Sequence, residues 1–505
     1  RHFSNAKKNN NNVMKKTNRN LYLLILLTLA LVIPEQGCKK LVEVTAPATN
    51  LTQGNVYSTD QTAAGVLTGI FLDMSADLPA GTGTVAPLSY YPGLSADEFT
   101  LWSGASNPEL SAFYQNALNN NYASEFWNNL YYILYSTNAA LEGLSSSTTL
   151  SPAVKQQLTG EAKFARAFCY FYLVNLYGDV PLLLSSNTQA NVSASRTPAA
   201  TVWKQIISDL LDAQSLLSPN FLDASLSLNS TERVRPTKWA ASALLARAYL
   251  YTQDWAYAKA QASTIINNTA QFGLSALNNA FLKASLGNKE AIWQLQPVTV
   301  GFNTLDAPLF VITSAGLSDV NPVYVSDGLL GSFESGDLRK TSWLNSIAVS
   351  GTTYYFPYKY KVFAVNSAIS SPSAMSEFEM VLRLSEQFLI RAEAEANLGD
   401  MSSAANDLNI IRSRAGLPAS TILTSTATIA QALTAILHER QVELFSEWGH
   451  RWLDLKRTKT VDAIMGSPGN ASIAKGSTWK SYQQYYPIPL YDLQKDPNLV
   501  QNNGY

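Results

Sequence analysis

The chain has 505 residues, 46% apolar and 14% charged, so it can bury a core without disulfides or metals. Formal net charge is −1, but residues 1–37 carry Arg1, Lys7, Lys8, Lys15, Lys16 and Arg19 against Glu35 alone, and the remaining 30 basic and 36 acidic residues give a net of −6. A mildly acidic body, with Asn, Ser, Thr and Tyr as its polar groups, excludes nucleic acid as a partner and suits neutral ligands better than phosphates.

The N-terminus carries Met14-Lys15-Lys16 and Arg19, then an apolar run of 13 residues from Leu21 to Ile33 broken only by Thr28. A spanning helix needs about 20 apolar residues, so this run is expected to be a signal-peptide core. Residues 1–37 are read as the signal segment, with 1–13 an upstream extension ahead of Met14. Gly37-Cys38 follows at the distance expected for lipoprotein processing, with Cys38 carrying the lipid and 38–57 forming a tether. The other cysteine, Cys169, lies in an apolar helical stretch and reads as a buried small hydrophobe.

From Ser58 the pattern turns helical, with apolar positions at Ala63, Val66, Ile70 and Phe71. Residues 76–121 scatter Gly, Pro, Ser and Asn among aromatics and are expected to be long loops. Tyr122 to Leu144 predicts a helix through Trp127, Leu130, Tyr131, Leu134 and Leu141. Ser151-Pro152 opens another, which closes at Gly178 with Pro181 beyond. Thr201 to Leu217 is a third. Two later pairs match when aligned on Asp254 and Asp400: Ala246 with Ala392, Ala248 with Ala394, and Ala258 with Ala404. Small residues at the contact and an Asp turn are the tetratricopeptide (TPR) pattern. The interval 270–380 is rich in Gly, Ser, Pro and aromatics. The expected fold is all-α: a TPR-like helical-repeat scaffold with a large irregular loop-rich subdomain. Its helical parts are 58–269 and 381–505, with binding loops at 76–121 and the irregular region at 270–380.

Catalytic signatures are missing. The histidines are His2, His438 and His450, and Val442 stands where a zinc-protease motif starting at His438 needs its second His. Gly81-Thr-Gly-Thr opens no helix after a strand, and no G-x-S-x-G elbow occurs. Glu439, Glu443 and Glu447 fall at i, i+4 and i+8, read as an ion-pair row with Arg440, Arg451 and Lys456. No catalytic residue, metal or cofactor is expected.

Six segments in order resemble the SusD/RagB family. They are Phe126-Trp-Asn-Asn-Leu-Tyr-Tyr-Ile with Asn138, Gly160 to Pro181, Phe333-Glu-Ser-Gly-Asp-Leu-Arg339, Glu439 to Arg457, Tyr486-Pro-Ile-Pro489 and Asn498 to Tyr505. Each also has a structural reading. Arg166, Arg440, Arg451 and Asp454 are expected in ion pairs between helices, and the Pro-Ile-Pro tail is expected to dock across the bundle. The resemblance implies a non-enzymatic lipoprotein of the outer membrane, facing outside. It also implies a partner, a SusC-like TonB-dependent transporter, to which a glycan or peptide is delivered.

Exposed aromatics favour a glycan, because sugar C–H faces stack on flat rings, whereas clustered loop charges would favour a peptide. A pure protein-interaction scaffold and a secreted hydrolase are the other readings. The expected ligand surface is 88–114, with Tyr90, Tyr91, Asp97, Trp102, Asn107 and Tyr114, led by Trp102 among small polar residues. A second candidate surface is 300–345, with Phe302, Asn321 and Tyr324.

Overall fold

The computed structural model describes residues 55–505 apart from 76, 79–81, 84–85, 123, 299–300, 302, 365–368, 370, 425 and 467–474. The expected signal segment, Cys38 and Phe302 lie outside the described residues.

Helix α1 (Asp60–Ser75) buries Ala63, Leu67, Ile70 and Phe71 on one face. After β1 (Asp77–Leu78) and β2 (Thr82–Gly83) come α2 (Ala86–Ser95), β3 (Phe99–Leu101) and α3 (Pro108–Tyr114). Then five long helices follow: α4 (Ser124–Ser146), α5 (Pro152–Tyr177), α6 (Ala199–Leu216), α7 (Lys238–Tyr251) and α8 (Trp255–Ile266). Pro152 sits at the first turn of α5, and Gly178, at φ 77°, ends it. Ser151 does not cap that helix. Its hydroxyl donates to Asp60 Oδ2 at 2.7 Å and so ties α5 to α1.

Each long helix packs on the next, α4 on α5 through α7 on α8. The interval 267–383 then intervenes, with β4 (Ala291–Leu295), β5 (Val323–Val325), β6 (Leu344–Val349), β7 (Thr352–Pro357), β8 (Glu379–Arg383) and short helices. Beyond it, α9 (Leu384–Asn397) packs on α8, and α10 (Met401–Arg414) on α9. The two repeats that are far apart in sequence are therefore neighbours in one array. Ala246, Ala248, Ala258, Ala392, Ala394 and Ala404 are all fully buried, as close helix approach requires. Both repeats turn through a left-handed residue, Gln253 (φ 63°) and Gly399 (φ 86°), just before the aspartate. Arg247 and Glu386 join α7 to α9 through two bonds of 2.7 Å. Helix takes about 52% of the described residues, and every sheet among them has two strands, so the architecture is all-α and TPR-like.

The C-terminal part adds α11 (Ile429–Leu444), α12 (His450–Arg457) and α13 (Leu490–Lys495). The tail docks as expected. Tyr486 N–H donates to Leu176 O at 2.8 Å, and Asn502 Nδ2 donates to Tyr177 O at 3.0 Å.

Two sequence readings need correction. Segment 76–121, expected as long loops, holds α2, β3 and α3. Leu88, Ser89, Tyr90, Leu94, Ser95 and Ala96 are all buried, so α2 shows no alternation of apolar and polar faces, and Pro92 inside it reads as a break. The glutamate row is also paired differently. Glu447 lies beyond the end of α11, and the cations come from distant elements. Arg383 binds Glu447 at 2.7 Å, Glu290 at 3.0 Å and Glu443 at 2.5 Å. Arg339 binds Glu439 at 2.6 Å and Glu443 at 3.0 Å, and Lys359 pairs with Glu447. Arg440 instead pairs with Asp454 at 2.7 Å, and Arg166 with Asp209 at 2.7 Å. This buried network ties the irregular interval to the C-terminal helices.

Candidate functional site

The irregular segments meet in one ledge. β3 pairs antiparallel with β5, placing Phe99 opposite Val325, Thr100 opposite Tyr324 and Leu101 opposite Val323. Trp102 N–H extends the ladder by donating to Pro322 O at 2.7 Å. One step further, the Ser106 amide and hydroxyl both donate to the Asp319 carboxylate at 2.7 Å. These bonds hold the Asp319 carboxyl below its ordinary range. Loops 102–107 and 313–322 are thus tied edge to edge.

Trp102 is half-buried, while Ser103, Gly104, Ser106 and Asn107 are exposed. The indole lies directly on Gly104, where an added Cβ would come within 2.4 Å of the ring. Gly104 is needed for this approach and not for its backbone, whose φ is not left-handed. The Tyr324 ring meets Tyr354 edge-on, with centroids 5.0 Å apart, and Tyr354 pairs with Ile347 across the β6–β7 hairpin. Tyr114 is half-buried, with its hydroxyl bonded to Thr100. Burial raises the Tyr114 phenol, and Tyr324 beside it adds to the shift. Val320 stands 77% exposed at the tip of its loop.

The other residues expected at the site have different places. Tyr90 is buried against Phe310 at 5.6 Å, and burial raises its phenol. Tyr91 stacks on Phe113 at 4.4 Å. Asp97 accepts two bonds of 2.7 Å from Arg451. Burial works to raise its carboxyl, and Arg451 outweighs that and holds it below the usual range. Asn107 Oδ1 caps α3, accepting from the Glu109 and Leu110 amides at 2.9 and 3.3 Å. Asn321 is 8% exposed and donates to Pro308 O at 2.7 Å. The ledge thus brings Trp102, Asn107, Tyr114 and Tyr324 together, while Tyr90, Tyr91, Asp97 and Asn321 hold it from behind.

Lys475 completes that support. Its buried ammonium donates to the carbonyls of Leu94, Ser95 and Ala96 at the end of α2, and burial pushes it down to about 7. Tyr354, Asp319 and Gly104 are ledge residues that sequence reasoning missed. A signal for Tyr354 was present in the β-branched and aromatic run Thr352-Thr-Tyr-Tyr-Phe-Pro357. Among the described residues, no group of His, Cys, Asp or Glu could hold a metal ion. What the ledge offers is aromatic faces and edges with hydroxyl and amide groups, a chemistry that binds neutral polar ligands.

A family profile described as "SusD family" matches residues 282–505, and another, "Starch-binding associating with outer membrane", matches residues 83–250. The chain is similar to SusD-like protein P25 of Formosa agariphila, 25% identical over 76% of this chain and 80% of that one. It is also similar to SusD-like protein P2 of that organism, 26% identical over 96% and 99%. Among solved structures, a SusD superfamily protein from Bacteroides vulgatus matches with a TM-score of 0.74 at 21% identity, over 88% of this chain and 99% of that one. Surface glycan-binding protein A from Bacteroides uniformis gives 0.71 at 20% identity, over 88% and 98%. A laminarin binding SusD-like protein gives 0.67 at 22% identity, over 88% and 99%.

Proposed function

Because the chain belongs to the SusD family, we propose that it captures a neutral oligo- or polysaccharide at the cell outer membrane and delivers it to a SusC-like TonB-dependent transporter. The observation that carries this reading is the β3–β5 ladder, which joins the strand leading into Trp102 to the strand that carries Tyr324, whose ring meets Tyr354. Trp102 stacks on a sugar ring, and Asn107, Tyr114 and Tyr324 exchange hydrogen bonds with its hydroxyls. The glycan-binding names of two structural neighbours support the carbohydrate class. Binding without turnover is part of this reading, and Asp97, the half-buried carboxylate behind the ledge, is already paired with Arg451. The protein is anchored through a lipid on Cys38 and faces outside. Among the described residues no helix is long and apolar enough to cross a membrane. The partner is tested by extracting the native host in several mild detergents and pulling down the protein. A β-barrel of much larger mass should come with it. Recovery of the protein alone in every detergent would contradict the delivery role.

A further inference from the structure

A second concavity is built from elements that take no part in the ledge. α4, the exit of α5 and the C-terminal tail enclose about 360 Å³, within the range of small-ligand sites. Its floor is Trp127 and Tyr131, with ring centroids 4.8 Å apart. Trp127 is buried, and the Tyr131 hydroxyl donates to Pro181 O at 2.8 Å, which fixes that ring. Tyr132 stands at the rim, 51% exposed, with its hydroxyl held by Asp73. Val192 is 62% exposed on another part of the rim. The tail supplies Asp492 and Asp496.

Asp492 and Asp496 give the wall carboxylate acceptors, and Asn128, Asn191 and Lys495 give it donors. Two carboxylates against one ammonium leave the wall net negative, which disfavours phosphate and other anions. Among the described residues there is no set of side chains that could hold a metal. A sugar ring answers both features: its polarised C–H groups meet the negative faces of tyrosine rings, and its hydroxyls donate to carboxylates.

We infer that this groove is a second carbohydrate site, holding a short stretch of a neutral saccharide chain over Tyr131 and Tyr132 with its hydroxyls on Asp492 and Asp496. The inference rests on the carbohydrate reading above and deepens it. A long glycan that reaches both ledge and groove binds more tightly than either site alone allows, because the second contact is intramolecular.

The test is affinity electrophoresis of the full chain in gels containing laminarin, xylan or amylopectin. Four proteins are run: wild type, Trp102→Ala, Tyr132→Ala with Asp492→Asn, and all three changes together. Melting curves confirm that each is folded. Tyr132 is on the rim and Asp492→Asn is isosteric, so the groove variant should fold as wild type does. The groove variant should be retarded at least threefold less than wild type. Trp102→Ala should keep part of its retardation, and the triple variant should lose it. If the groove variant runs as wild type does while Trp102→Ala loses all retardation, the groove site is overturned and the carbohydrate reading stands. If wild type is retarded by none of the polysaccharides, both are overturned.

Discussion

Adding one methyl group at Gly104 should weaken glycan binding while leaving the fold almost untouched. The new Cβ would lie 2.4, 2.6 and 2.8 Å from three atoms of the Trp102 indole, closer than the 3.0 Å that real Cβ atoms keep. The backbone at 104 is not left-handed, so alanine brings no φ strain, and the indole must swing off its seat. Trp102 is only half-buried and residues 103–107 are mostly exposed, so little packing is lost. Stability should change by no more than about 0.5 kcal/mol, as for ordinary surface substitutions. Binding should lose the contribution of a central aromatic, ~2 kcal/mol, or more than tenfold in Kd. Calorimetry on Gly104→Ala, beside Trp102→Ala and wild type, measures this with the glycan that wild type binds best, and urea melts measure the fold. Full affinity in Gly104→Ala with a tenfold loss in Trp102→Ala would refute the idea that the seat on Gly104 aims the ring. Full affinity in both would remove Trp102 from the site and leave Tyr324 and Tyr354 as its centre.

Arg383→Met should destabilise the protein by about 3–5 kcal/mol in urea unfolding, because Glu290, Glu443 and Glu447 lose a shared buried cation. A loss below about 1 kcal/mol would mean that Arg414 and Lys359 carry those carboxylates unaided. Burial, with the Asp97 charge adding, pushes the Glu98 carboxyl up to about 8, from an ordinary value of 4.5. Between these values only the folded state keeps the proton, so this group makes stability fall as pH rises from 4.5 to about 8, and level off above. Glu98→Gln should flatten that slope and raise stability at pH 7 by on the order of 1–3 kcal/mol. An unchanged pH profile in the melts of that variant would contradict the buried-proton assignment. Cys38→Ala should leave the membrane fraction, since stable anchoring needs more than one acyl chain, and firm retention of the variant would end the lipoprotein reading.

The helical array was readable because its signals are local. α4 and α5 show continuous 3/4 spacing, Pro152 and Gly178 bracket α5, and the paired alanines mark the TPR contact. What escaped depends on partners distant in sequence. The β3–β5 ladder joins residues near 100 to residues near 324, and no local pattern encodes that pairing. Charge partners escaped for the same reason. Glu443 has three candidate cations nearby in sequence, yet its actual partners are Arg339, Arg383 and Arg414. Asn107 is a different kind of miss. It was read only as a ligand residue, although Asn before Pro at a helix start is a capping signature, and its Oδ1 caps α3. Tyr90 looked like a loop aromatic because α2 hides its periodicity by being buried on nearly every side.

The central claim is that the chain captures carbohydrate, and side-by-side binding of the purified protein to a neutral glycan array and an oligopeptide library tests it most directly. At least one neutral glycan should bind, with Trp102→Ala weakening that binding more than tenfold and the peptides giving no signal above background. Peptide binding with no glycan bound anywhere on the array would contradict it.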